Sequence, residues 1–141
     1  MLQFIKGDWY YGEQDGVKRL APEMEFEKCG IGFFKIMDDD KPEELHRKAA
    51  AEGLHRAEEV ITSEKYNLVI LDEINNAIHD GLLEVKDVVK VLNKRPKLVN
   101  VILTGRNAAP EIMDIADMVS EIKDIKHPFE KGVLAQRGFD Y

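Results

Sequence analysis

Two apolar runs in this chain end abruptly in polar groups of the kind that do chemistry. Leu68-Val69-Ile70-Leu71 leads straight into Asp72-Glu73, and Val101-Ile102-Leu103 leads into Thr104-Gly105-Arg106. A continuous apolar run of this length, too short to span a membrane, reads as a buried strand of a parallel sheet. Ligands of such sheets bind at the carboxyl ends of the strands. Carboxylates there can hold a hard cation such as Mg²⁺, directly or through water, while the cation bridges phosphate oxygens. The same acids suit the first turn of a following helix, where they oppose the helix dipole. These residues alone leave both readings open.

The elements that must position these groups follow from hydrophobic period and punctuation. "MLQFIK" predicts a first strand, and the Gly-rich, aromatic "GDWYYGEQDG" a loop into a short helix around Glu13 to Leu20. "MEFEKC" predicts another strand. The loop "GIGFFKIMDDDKP" leads to Pro42, which suits the first turn of a long helix with Leu45, Ala49, Ala50, Leu54, Ala57, Val60 and Ile61 on one face. A short helix near Ile74 to Ile78 follows the acidic strand end. A second helix carries Val85, Val88, Val89 and Leu92 and stops by Arg95-Pro96. Pro110 opens a further helix, "MVSEIKDI" reads as a last strand, and the tail has no clear period. Strands alternating with helices predict an α/β fold, a three-layer, mostly parallel sheet with right-handed crossovers.

At 141 residues the chain has the length of one domain with a real core. Its net charge of −7, with 33% charged residues, leaves no basic excess for nucleic acid, so DNA and RNA are disfavoured partners. No apolar run is long enough for a membrane span and no basic stretch leads into a signal-peptide core, so a cytoplasmic location is expected. The single cysteine, Cys29, cannot form an internal disulfide. It shows no metal-ligand spacing with His46, His55, His79 or His127, and is expected to be a small, at least half-buried side chain.

Several short pieces then act together: "QFIKG" (3–7), "GE" (12–13), "GFF" (32–34), "LDE" (71–73), "RP" (95–96), "TGR" (104–106), "AD" (116–117) and "KHPFEKGVLAQRGFDY" (126–141). In this order and spacing the chain resembles, over essentially its whole length, the P-loop type of cob(I)alamin (corrinoid) adenosyltransferase. The resemblance implies a P-loop NTPase-like (RecA-like) fold. It also implies an enzyme that moves the 5′-deoxyadenosyl group of ATP to Co(I) of a reduced corrinoid and releases triphosphate. Co(I) is itself the nucleophile, so the protein supplies position, electrostatics and a dry site rather than a general base.

By the same resemblance, Glu73 matches the Mg²⁺-associated acid, with Asp72 beside it as an indirect or water-mediated partner. Arg106, with Thr104 and Gly105, matches the strand end that meets triphosphate, and Lys6 in "FIKG" faces the same cleft. For Arg106 a helix-terminal ion pair, and for Lys6 a solvated strand end, stay open as alternatives. Phe33 falls in the loop that sets aromatics against the lower corrin face and excludes an axial ligand. The family reads Phe-Thr-Trp where this chain has Phe33-Phe34-Lys35, so Phe34 is the candidate for the second aromatic. Packing of both phenylalanines in the core is the competing expectation. His127 is read as an ordinary tail histidine. The resemblance further implies a reduced flavoprotein as electron donor and a homodimer.

The resemblance also predicts a phosphate cradle, G-x-x-x-x-G-K-[ST], before "QFIKG". No Gly-Lys dipeptide occurs in the 141 residues, and the chain opens on the strand expected after the cradle's helix, so the expected unit is one N-terminally truncated adenosyltransferase-like domain. Truncation, a variant that binds corrinoid or nucleotide without catalysis, and a cradle supplied in trans are the three explanations.

Overall fold

Glycine, proline and β-branched residues divide the chain into four short strands and five helices, seen in a computed structural model that describes residues 1–7, 12–32, 34–35 and 41–136. The strands are β1 (Leu2–Gln3), β2 (Glu27–Lys28), β3 (Leu68–Asp72) and β4 (Asn100–Leu103). The helices are α1 (Gly12–Arg19), α2 (Glu43–Thr62), α3 (Ile74–His79), α4 (Val85–Leu92) and α5 (Pro110–Ile115), followed by a 3₁₀ turn at Pro128–Lys131. All strand pairs are parallel and the order is β2-β1-β3-β4. This is the expected α/β class, with a parallel sheet consistent with a P-loop NTPase-like three-layer fold.

Register fixes which side chains share a face. Leu71 pairs with Leu2 on one side and Leu103 on the other, so the next row across the sheet is Gln3, Asp72 and Thr104. Val69 and Leu71, buried completely or nearly so, point the other way, into a core with Phe4, Ala57, Ile61, Val88 and Val91. The face that carries the polar row is less covered, with Leu68 and Ile102 47% and 46% exposed.

Three expectations need correction. The first strand is shorter than "MLQFIK" suggests: the Phe4 N–H still donates to the Asp72 carbonyl (2.9 Å), but Ile5 at φ 66° turns the chain out of the sheet and carries Lys6 with it. The buried face of α2 is His46, Ala50, Gly53, Leu54, Ala57 and Ile61, so Leu45 is exposed and its neighbour His46 is inside. The rest of the expected face holds, with Ala50, Leu54, Ala57 and Ile61 buried; the difference is in the first turn, where His46 packs against Phe34. The "MVSEIKDI" segment is not a strand. Ile122 and Ile125 are 98% and 88% exposed, and among the described residues β4 is bonded only to β3 and this segment joins no ladder. Among the described residues no helix is long and apolar enough to cross a membrane. Cys29 is partly buried, which pushes its thiol up to about 11.

Candidate functional site

The polar row is hydrogen-bonded across three strands. The Gln3 amide donates from Nε2 to Asp72 Oδ2 (2.9 Å), and the Thr104 hydroxyl donates to Asp72 Oδ1 (2.8 Å). The same Thr104 oxygen accepts the backbone N–H of Glu73 at 3.0 Å. Both oxygens of Asp72 therefore serve the protein, and Thr104 joins two consecutive acids. The Gln3 Oε1 atom is buried and has no hydrogen-bond partner among the described residues.

Glu73 leaves this row in a left-handed conformation (φ 61°, ψ 15°) and occupies the N-cap position of α3 with no hydrogen bond from its side chain to the helix. The capping alternative is thus met by the backbone alone. The carboxylate has no hydrogen bond or ion pair among the described residues. Burial, and then the charge of Asp72, raise its pKa above the usual glutamate value, while Lys6 and Arg106 pull it down. A left-handed non-glycine residue with an unspent, partly desolvated carboxylate is the kind of strain that clusters at functional sites.

Arg106 lies across from it. Its backbone N–H donates to Asn76 Oδ1 (2.6 Å), and its guanidinium has no hydrogen bond or ion pair among the described residues, so the helix-terminal ion pair is not formed here. Gly105 has φ 122°, and a β-carbon on it would lie 2.6 Å from Asn76 Oδ1; no other residue type fits that corner. Lys6 pairs with Glu13 at 2.8 Å. Burial alone would lower the Lys6 pKa, but the Glu13 hydrogen bond and charge, with Asp72 and Glu73, outweigh it and the net shift is upward.

These groups open on one cleft of about 500 Å³, lined by Ile5, Lys6, Phe34, Lys35, Glu73, Asn76, His79, Asp80, Arg106 and Asn107. Lys6, Phe34, Glu73 and Arg106 line this cleft together; Asp72, Thr104 and Gly105 are not among the lining residues and lie behind it. Phe34 is buried, its ring 5.2 Å from that of His46, with Lys35 Nζ 4.4 Å from its centroid, so core packing and a place in the cleft wall coexist. Phe33 lies outside the described residues. The sequence assigns no site role to Gln3, Asn76, His79 or Asp80, since nothing sets "INNAIHD" (74–80) apart from an ordinary helix start. A smaller crevice of about 250 Å³, lined in part by Met24, Tyr66 and Leu68, collects none of these charges.

Among the described residues no group of three or more His, Cys, Asp or Glu could form a metal site unaided. Glu73 fits one role, the single carboxylate on a cation whose other ligands are phosphate and water.

A family model for ATP:corrinoid adenosyltransferase BtuR/CobO/CobP matches residues 1–141. The chain belongs to this family. It is 35% identical over 144 residues to the corrinoid adenosyltransferase of Sinorhizobium sp., covering all of this chain and 65% of that protein. It is 36% identical over 142 residues to the corrinoid adenosyltransferase of Escherichia coli K12, covering 69% of that protein. To corrinoid adenosyltransferase CobA of Salmonella typhimurium it is 34% identical over 142 residues, again 69% of the relative. The chain thus spans about two thirds of the length of these adenosyltransferases.

Proposed function

We propose that the protein performs the reaction of its family, the transfer of the 5′-deoxyadenosyl group of ATP to Co(I) of a reduced corrinoid. The cobalt–carbon bond forms as the C5′–O bond breaks. Triphosphate leaves with the bonding electron pair, and cobalt passes formally from Co(I) to Co(III). The single observation that carries this reading is the pair of unspent charges, Glu73 and Arg106, facing one cleft beside the apolar wall of Phe34.

Arg106, placed at a strand end with its guanidinium free of hydrogen bonds and ion pairs, binds the oxygens of the leaving triphosphate in a forked geometry. Lys6 adds positive charge after exchanging Glu13 for phosphate. Glu73 is the residue that would hold Mg²⁺, with Asp72 and Thr104 fixing it from behind; bound there, the ion would supply positive charge against the leaving group. Phe33 and Phe34 supply the apolar wall that keeps water and other ligands off the lower corrin face. The cofactor's own reactivity does the bond-making, and the protein's part is orientation in a water-poor cleft. A reduced flavoprotein as electron donor, a homodimeric state and a cytoplasmic location complete the reading.

The test is to incubate the chain with Mg²⁺, ATP and a chemically reduced corrinoid, following cobalt–carbon bond formation by visible absorbance and triphosphate by ion chromatography. Stoichiometric appearance of both supports the reading. Glu73→Gln is expected to abolish the Mg²⁺-dependent turnover and leave corrinoid binding intact; unchanged turnover removes Glu73 from the site. Phe33→Ala is expected to slow reduction of the corrinoid more than transfer from corrinoid already reduced, and equal effects on both steps sink its assignment to the wall.

A second reading is a corrinoid- or nucleotide-binding module without turnover. Binding without alkylation would support it. The intact mass of the protein isolated from its source cells decides whether a cradle is attached to this chain.

A further inference from the structure

Arg106 stands in an exposed turn, and a long side chain on an exposed turn has no fixed direction unless its backbone is held. Three contacts hold this one to α3. Asn75 N–H donates to the Thr104 carbonyl (3.2 Å), Asn76 Oδ1 accepts the Arg106 N–H (2.6 Å), and Gly105 lies against the Asn76 side chain too closely for any β-carbon. Two of the three go through Asn76, which itself lines the cleft between Glu73 and Arg106. Glu73 is the residue from which α3 starts.

We infer that Asn76 is a positioning residue that fixes the Arg106 backbone to the helix beginning at Glu73, so that guanidinium and carboxylate keep one span matched to a magnesium-bound polyphosphate. The inference rests on the phosphate role proposed for Arg106. Without the acceptor at Asn76, the 105–106 peptide loses its only side-chain hydrogen bond among the described residues, and Arg106 samples directions away from the cleft. Asn76 works through the arginine and so has nothing to contribute once the guanidinium is gone.

A double-mutant cycle reads this directly, with magnesium triphosphate as the probe and calorimetry as the measurement. Asn76→Ala is expected to weaken triphosphate binding roughly fivefold to tenfold, about the effect of one lost hydrogen bond on placement. Arg106→Ala is expected to weaken it at least as much. In the Arg106→Ala background, adding Asn76→Ala is expected to change binding by less than about twofold. Full additivity, with Asn76→Ala costing the same in both backgrounds, overturns the positioning role in favour of a merely structural one. No triphosphate binding by the unmodified protein, or an Arg106→Ala variant that binds as well, overturns the phosphate reading of Arg106 itself. The amide exchange of Arg106, read by NMR without any ligand, tests the anchor independently. It should be protected in the unmodified protein and in Asn76→Asp, which keeps the acceptor, and fast in Asn76→Ala. Equal exchange in all three overturns the anchor.

Discussion

Glu73 combines two unfavourable conditions, a left-handed backbone and a carboxylate whose pKa is raised by burial and by the neighbouring charge of Asp72. The second makes a prediction about pH. An acid whose pKa is higher folded than unfolded makes the native state bind more protons in the window between the two values, so stability falls as pH rises through that window. Above it, the ionised Glu73 is a standing cost to the fold. Glu73→Gln, which keeps shape and backbone demand, is expected to melt at a higher temperature than the unmodified protein at about pH 7. The difference should vanish at about pH 3, below the ordinary glutamate range. Thermal melts at both values check this, and an advantage at neither would mean that the burial cost is absent. The identity of Glu73 as a candidate was legible because an acid after an apolar run is conspicuous. The partners Gln3 and Asn76 were not, since an amide reveals its role only through what the fold sets opposite it.

At the scale of elements, the long, strongly periodic pieces were readable: α2, α4, β3 and β4 lie where spacing and prolines place them. What local pattern could not report was who the neighbours are. "MVSEIKDI" has the composition of a strand and the exposure of a loop, because a strand exists by pairing and the edge of β4 meets no partner among the described residues. Helix α2 shows the same lesson in reverse. Gly53 would ordinarily weaken a helix, and Gly→Ala in a helix interior gains roughly 0.5–1 kcal/mol. Here a β-carbon would lie 2.7 Å from Cys29 Cβ and 3.0 Å from Phe4 Cε1, atoms that cannot swing aside. Overpacking of that kind costs about 1–3 kcal/mol, so it wins. Gly53→Ala is expected to lower the urea midpoint with an unchanged slope; a raised midpoint would show that α2 and β2 can separate freely.

At the scale of the molecule, the contrast is between the helix-backed side of the sheet and a long exposed arm. Residues 114–136 have no buried side chain, and Met118, Ile122, Ile125 and Leu134 stand in solvent. Segments with so few buried contacts open at almost no free-energy cost. Limited proteolysis is expected to cut between residues 116 and 127 well before the sheet, and Ile122→Lys should leave the unfolding free energy within about 0.5 kcal/mol while improving solubility. A protected arm, or a variant that unfolds early, would show that these apolar residues are covered in solution.

The parallel order β2-β1-β3-β4 has a consequence for synthesis on the ribosome. Gln3 sits in the middle of the sheet, yet the carboxylate that its amide meets is 69 residues away, and Thr104 is 32 further on. At about 5–20 residues per second, the first strand waits roughly 5–20 s for the last member of its row to be translated. Residues 2–4 cannot complete their row as they emerge, and the corner that faces the ligand is assembled only after Thr104 has been made. During that interval a nascent chain exposes the apolar residues Leu2 and Phe4, which is where a chaperone acting on this protein during translation would be expected to bind.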